Sequence, residues 1–197
     1  MGKLYCVMGK SSSGKDSIYQ QIMQRRELPL EKIIPYTTRP IREGEEEGRE
    51  YHFCSEETVQ KLEQAGTVIE LRAYNTVYGI WKYFTVDDGR IDLEHLSYLY
   101  IVTLEGYLKI QKYFGKERVV PIYIEVEDGQ RLLRAIAREQ QQEKPGYEEM
   151  CRRFLADSAD FSEEKLVGAG ITRRFVNREL EETIREVTSF IENEMIR

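Results

Sequence analysis

Apolar positions along this chain change period several times, and each change marks an element. Leu4-Tyr5-Cys6-Val7-Met8 is an unbroken apolar run, the pattern of a strand buried on both faces. Asp16 to Arg26 instead puts Ile18, Ile22 and Met23 on one side of a helix. Ile33-Ile34 reads as a short second strand, and Tyr36 to Glu50, dense in charge and broken by Pro40, Gly44 and Gly48, reads as a loop. Tyr51-His52-Phe53, Thr67 to Tyr74 and Trp81 to Thr85 read as strands of a small mixed β insertion, with a helix from Ser55 to Gln64 capped by Ser55. The apolar β-rich runs return at Leu99 to Val102 and Val119 to Val126, with Leu104 to Tyr113 as a crossover helix between them. A charged helical stretch from Arg131 to Phe154, broken at Pro145-Gly146, reads as a lid. Ile171 to Val176 is the last strand. Leu180, Ile184, Val187 and Ile191 give Glu179 to Ile196 the spacing of a helix packed on the core.

Bulk properties narrow the classes of function. The 197 residues are 41% hydrophobic, enough for one sizeable core. A net charge of −6 leaves no general basic field for nucleic acid, so an anionic ligand has to be held by local charge. No apolar run approaches a membrane span, and the N-terminus leads straight into a strand, which together predict a cytoplasmic protein without a membrane partner. Cys6, Cys54 and Cys151 are odd in number and lack metal-ligand spacing, as expected of reduced packing thiols. With only His52 and His95 available, a histidine-rich metal site is not expected.

Between the first strand and helix lies Gly9-Lys10-Ser11-Ser12-Ser13-Gly14-Lys15-Asp16. Two glycines at this spacing let backbone N–H groups turn inward around a phosphate, Lys15 adds a point charge, and the following helix contributes its positive end. The loop thus predicts a polyphosphate site. Its last position holds a carboxylate where a hydroxyl is usual. At about 4–5 Å, and an effective dielectric near 20, Asp16 would repel a phosphate by roughly 3–4 kcal/mol unless a cation lay between them. It is therefore a candidate metal ligand, with helix capping as the alternative role.

Thr37-Thr38-Arg39-Pro40-Ile41-Arg42-Glu43-Gly44-Glu45, followed by Gly48 and Tyr51, is where the chain resembles guanylate kinases. Their acceptor-binding segment reads T-T-R-x-P-R-x-G-E followed by G-x-x-Y-x-F, and here Pro40 and Ile41 stand at the x-P positions. Glu70 and Tyr78-Gly79 resemble the guanine-recognition and phosphate-contacting positions. The resemblance implies a three-layer α/β P-loop kinase fold with a parallel sheet core (1–33, 86–126, 169–197), an acceptor-binding insertion (34–85) and a helical lid (127–168). It also implies Mg-ATP-dependent phosphorylation of GMP to GDP by a monomer or homodimer. Gly9, Ser11, Ser12, Ser13, Gly14, Lys15, Asp16 and Ser17 would hold ATP and its Mg2+, with Asn177 beside the adenine. Arg39, Arg42, Glu45, Tyr51 and Tyr78 would hold the acceptor phosphate and Glu70 the guanine. Lys15, Arg138 and Arg153 would be catalytic, with Arg134 and Arg152 as alternatives for the lid pair and Arg131 as an ion-paired helix-surface residue.

Two arginines and a tyrosine hydroxyl suit a phosphate monoester, and a glutamate suits the adjacent N1–H and amino donors of guanine, which adenine lacks. A solvated strand-edge role is the alternative for Glu70. Three departures separate the chain from the family pattern. Asp16 replaces a serine or threonine, and the acids expected near Tyr100-Ile101-Val102-Thr103 are absent. Pro35 and Ile80 replace serines that contact guanine. Asp at the end of the loop also occurs in ribose bisphosphate kinases of the same fold, which makes a phosphorylated sugar the alternative acceptor. A non-catalytic binding module is the further alternative.

Overall fold

The computed structural model describes residues 1–76 and 79–196. In chain order the elements are β1 (Leu4–Met8), α1 (Lys15–Met23), β2 (Leu30–Lys32), β3 (Tyr36–Thr37), β4 (His52–Phe53), α2 (Glu56–Gln64), β5 (Val68–Thr76), β6 (Gly79–Val86) and β7 (Ser97–Ile101). Then follow α3 (Leu104–Phe114), β8 (Val119–Glu125), α4 (Asp128–Gln140), α5 (Tyr147–Asp160), α6 (Glu163–Gly168), β9 (Arg174–Val176) and α7 (Leu180–Ile196).

Five strands form an all-parallel sheet in the order β2-β7-β1-β8-β9. Because successive strand side chains alternate between faces, β1 feeds two cores. Leu4, Cys6 and Met8 pack with Tyr107 and Ile110 of α3. Tyr5 and Val7 pack with Ile18 and Ile22 of α1 and with Ile184, Val187 and Ile191 of α7. Helices on both faces explain why all five β1 residues are fully buried. The C-terminal end of β1 opens into the glycine loop, at the edge of the parallel sheet where α/β proteins place ligands.

A second sheet runs β4-β3-β6-β5, with β3 and β4 parallel and the β3–β6 and β5–β6 pairs antiparallel. A register shift in β5 between Val68 and Glu70 leaves Glu70 opposite Thr85. Such a bulge re-aims the residue that follows it.

Some element boundaries differ from the sequence pattern. The second strand is Leu30–Lys32 rather than Ile33-Ile34, because pairing with β7 defines it while its own Glu31 and Lys32 stay exposed. Ile33 reaches the core from the following connection. Tyr36–Thr37, inside the expected loop, is held as a strand by β4 and β6. The helix α6, capped by Ser162 on the Lys165 N–H, lies beyond the charged stretch from Arg131 to Phe154. The helical break at Pro145-Gly146 falls as expected, between α4 and α5, and Ser55 caps α2 through the Thr58 N–H. Cys6 is buried, Cys54 half-buried and Cys151 exposed, all as free thiols.

Candidate functional site

The loop leaving β1 has the shape its glycines permit. Gly14 adopts φ 85°, and a β-carbon there would lie 2.4 Å from Asn177 Nδ2. One at Gly9 would lie 2.7 Å from the Ile124 carbonyl oxygen. Ser12, at φ 62°, is the one non-glycine residue with positive φ among the described residues. The buried Ser12 and Ser13 hydroxyls have no protein hydrogen-bond partner among the described residues. Unpartnered buried donors at the mouth of α1 fit an anionic ligand. Lys15 Nζ lies 3.0 Å from Asp16 Oδ2, whose side chain is 70% exposed, and Ser17 is exposed next to it.

No group of three or more His, Cys, Asp or Glu able to hold an ion occurs among the described residues. A lone exposed carboxylate beside a phosphate loop fits Mg2+, which keeps several waters and takes most other ligands from substrate phosphates.

Beneath the loop the structure places Asn177 in a supporting position. Its Nδ2 donates to the Ser13 carbonyl at 2.8 Å, its Oδ1 accepts from Thr183 at 3.3 Å, and its backbone carbonyl accepts from Arg134 at 3.1 Å. At 3% exposure, this side chain braces the loop.

The helices α4 and α5 meet the loop from the other side. Arg138 and Arg153 line a cleft together with Ser11, Ser12, Arg131, Met150 and Phe154. Of the alternatives, Arg152 is forked onto Glu149 at 2.6 and 2.7 Å and points into solvent, while Arg134 is used on Asn177. Arg131 is not on the helix surface: it is 1% exposed, bonds Asp128 Oδ1 at 2.7 and 2.9 Å and the Ser11 carbonyl at 3.1 Å, and lies 4.5 Å from the Phe154 ring centre. The ion pair was expected; the burial was not, because the loop and α5 that cover it are remote in sequence. Asp157 of α5 accepts a hydrogen bond from the Ser11 N–H at 2.7 Å.

A second polar group forms on the four-stranded sheet. Arg39, 4% exposed, forks onto Glu45 at 2.8 and 3.0 Å and stacks 5.4 Å from the Tyr51 ring centre. The other Glu45 contact is the Arg42 N–H, at 2.8 Å, so this carboxylate orients the arginine segment and leaves the Arg42 side chain in solvent. Glu45 is held below the usual carboxylate range by its bonds to Arg39 and then to the Arg42 amide. Burial raises the Tyr51 hydroxyl above its ordinary value, which keeps it a neutral donor. Tyr78 lies outside the described residues.

Glu70 is not a solvated strand-edge residue. It is 2% exposed and accepts from Thr85 at 2.8 Å and from Arg72 at 3.1 and 3.4 Å. Thr85 also bonds the Tyr100 hydroxyl at 2.9 Å, which burial and then the Glu70 charge push far above its usual range. Neither Arg72 nor Asp157 stands in a recognisable sequence motif. A signal existed for the first: Glu70 and Arg72 are two apart on a strand and share a face. None existed for Asp157, whose contact spans 146 residues.

A family model described as guanylate kinase matches residues 1–194. The chain is similar to a guanylate kinase of Porphyromonas gingivalis, at 32% identity over 126 residues, 63% of this chain and 65% of the relative. It is 24% identical over 209 residues to one from Anaplasma phagocytophilum, covering 100% of this chain and 89% of the relative. Thus less than two thirds of the Porphyromonas relative's own length is spanned. The crystal structure of guanylate kinase from Anaplasma phagocytophilum superposes with a TM-score of 0.69 at 19% identity, covering 100% of this chain and 87% of that one, a likeness of fold.

Proposed function

Because this chain belongs to the guanylate kinase family, we propose that it transfers the γ-phosphoryl group of ATP to GMP, forming GDP. The observation that carries the reading is the cleft in which the lid residues Arg138 and Arg153 stand beside Ser11 and Ser12 of the phosphate loop. A cationic lid over a phosphate cradle suits a reaction whose barrier falls when the two substrates are aligned and the moving charge is neutralised.

In this account the amides from Gly9 to Gly14, the Ser12 and Ser13 hydroxyls and Lys15 hold the donor phosphates, and Asn177 keeps the loop in shape. Asp16, with Ser17 beside it, would hold Mg2+, which when bound neutralises phosphate charge. Arg39 and Arg42 bind the acceptor phosphate with the Tyr51 hydroxyl, Glu45 holding Arg39 in place. Glu70 accepts from the N1–H and 2-amino group of guanine. Arg138 and Arg153 donate to the phosphoryl oxygens in the transition state. No general base is required, since a phosphate monoester is already largely ionised at neutral pH. The division into core, acceptor-binding insertion (34–85) and lid (127–168) belongs to the same proposal.

No helix among the described residues is long and apolar enough to cross a membrane. The free thiols support a cytoplasmic setting.

Incubation with Mg-ATP and GMP, followed by nucleotide chromatography, tests the reading. ADP and GDP should appear in equal amounts. ATP binding with no GDP formed would overturn it in favour of a binding module.

A further inference from the structure

Arg72 stands over Glu70. Nε donates to Glu70 Oε2 at 3.1 Å and Nη2 to Oε1 at 3.4 Å. A guanidinium carries five N–H groups, so three remain, and they have no partner among the described residues. The Arg72 side chain is 20% exposed against 1% for Glu70, so a ligand that reaches the carboxylate meets the arginine first. In the sheet register Arg72 is opposite Tyr83, whose ring lies 5.7 Å from that of Tyr51, and Tyr51 in turn carries Arg39. Arg72 therefore links the base-directed carboxylate to the phosphate-directed cluster.

Counting acceptor sites says what has to move. A carboxylate offers about four lone-pair directions. Three are taken here, two by Arg72 and one by Thr85. A base presenting N1–H and a 2-amino group needs one on each oxygen. The Nη2 contact, at 3.4 Å the longest of the three, is the one that opens. The ring position beside N1–H in guanine is the 6-oxygen, an acceptor, and the freed guanidinium edge is a donor. Pro35 and Ile80 carry no side-chain donor.

We propose that Arg72 is a specificity-determining residue for the phosphoryl acceptor, exchanging one contact with Glu70 for a hydrogen bond donated to the 6-oxo group of the base. The inference rests on Glu70 reading the base, as proposed above. The pair then reads three neighbouring groups, the 2-amino and N1–H through Glu70 and the 6-oxygen through Arg72. Adenine reverses two of them, setting N1 against the carboxylate and an amino group against the guanidinium.

The test is steady-state kinetics with GMP and with 6-thio-GMP, which keeps both donors but replaces the 6-oxygen with a weakly accepting sulfur. The unaltered protein should favour GMP in kcat/KM by about tenfold or more, the worth of a hydrogen bond from a charged donor. Arg72→Met should erase that preference and raise the KM for GMP by a larger factor than it lowers kcat. Arg72→Lys, which keeps the cation, should restore part of it and keeps the test open should the methionine variant fail to fold. Preference for GMP over 6-thio-GMP that survives in both variants overturns the inference. Glu70→Leu, which leaves no acceptor at this position, assayed on GMP against inosine monophosphate, which lacks the 2-amino group, separates the two levels. If that variant keeps the GMP preference, Glu70 does not read the base and both readings fall. If it loses the preference while the Arg72 variants still discriminate the 6-position, only the Arg72 inference falls.

Discussion

The Asp157 carboxylate of α5 accepts a hydrogen bond from the Ser11 backbone N–H at 2.7 Å, so one amide of the phosphate loop already faces a fixed negative charge. Arg131, buried beside both, bonds the Ser11 carbonyl and approaches Asp157 to 3.7 Å. The helices α4 and α5 are thereby linked to the loop through groups that, in the proposed function, a nucleotide would contact. If the loop holds the donor phosphates as proposed, an incoming phosphate and Asp157 would compete for the same donor.

Asp157→Ala should therefore bind ATP more tightly in the absence of divalent cation. The gain should be about fivefold, the effect of roughly 1 kcal/mol from one partly exposed charge. Titration calorimetry checks this. Weaker binding would mean that the carboxylate shapes the loop for the nucleotide instead of competing with it.

Asp16 sits at the opposite end of the loop, exposed and 3.0 Å from Lys15. If it carries the cation, Asp16→Ala should lose most Mg-dependent turnover, and its ATP affinity should be the same with Mg2+ as with chelator. Asp16→Ser, which restores a hydroxyl, should recover part of the Mg2+ effect. A Mg2+ effect on ATP affinity that persists in Asp16→Ala leaves the residue only its charge in the first turn of α1, whose N-cap is Gly14 and not Asp16.

Glu45 ties Arg39 into the acceptor segment, and its proton affinity is lowered by that bond. A carboxyl group with a depressed folded-state pKa stabilises the fold at pH values above its unfolded value of about 4.3 and loses that contribution as pH falls toward the folded value. The unaltered protein should thus lose stability on acidification below about pH 4.5, and Glu45→Gln should lose less over the same interval. Chemical unfolding at pH 6 and pH 3.5 measures the difference. Identical pH dependence in the two proteins would contradict the coupling.

Asn177 supports the loop from below. Asn177→Ala removes the donor to the buried Ser13 carbonyl and should cost about 1–3 kcal/mol, which is about 2–4 °C of Tm per kcal/mol for a chain of this size. Its KM for ATP should rise while its KM for GMP stays close to the unaltered value. A side chain contacting the adenine instead would raise the ATP KM with little change in Tm.

Much of the parallel core was legible in the sequence, because a central strand needs a continuous apolar run and Leu4–Met8 is one. The loop was legible for a related reason: the close approaches at Gly9 and Gly14 leave no room for a β-carbon. Less was visible where pairing, and not composition, makes the element, as with Leu30–Lys32 and Tyr36–Thr37. The site shows the same division. Arg39, Glu45 and Glu70 stand in local patterns, whereas the buried state of Arg131 depends on Ser11 and Phe154, and the bracing role of Asn177 on Ser13, 164 residues away. Contacts across such separations leave no periodicity to read.

Phosphoryl transfer to a guanine nucleotide is decided by competition for γ-labelled ATP. GMP, AMP, CMP, UMP and ribose bisphosphate are offered together at equal concentration in the presence of Mg2+. Label should appear in GDP above every other product. Label chiefly in a phosphorylated sugar would contradict it and make Arg39, Glu70 and Arg72 parts of a sugar-phosphate site.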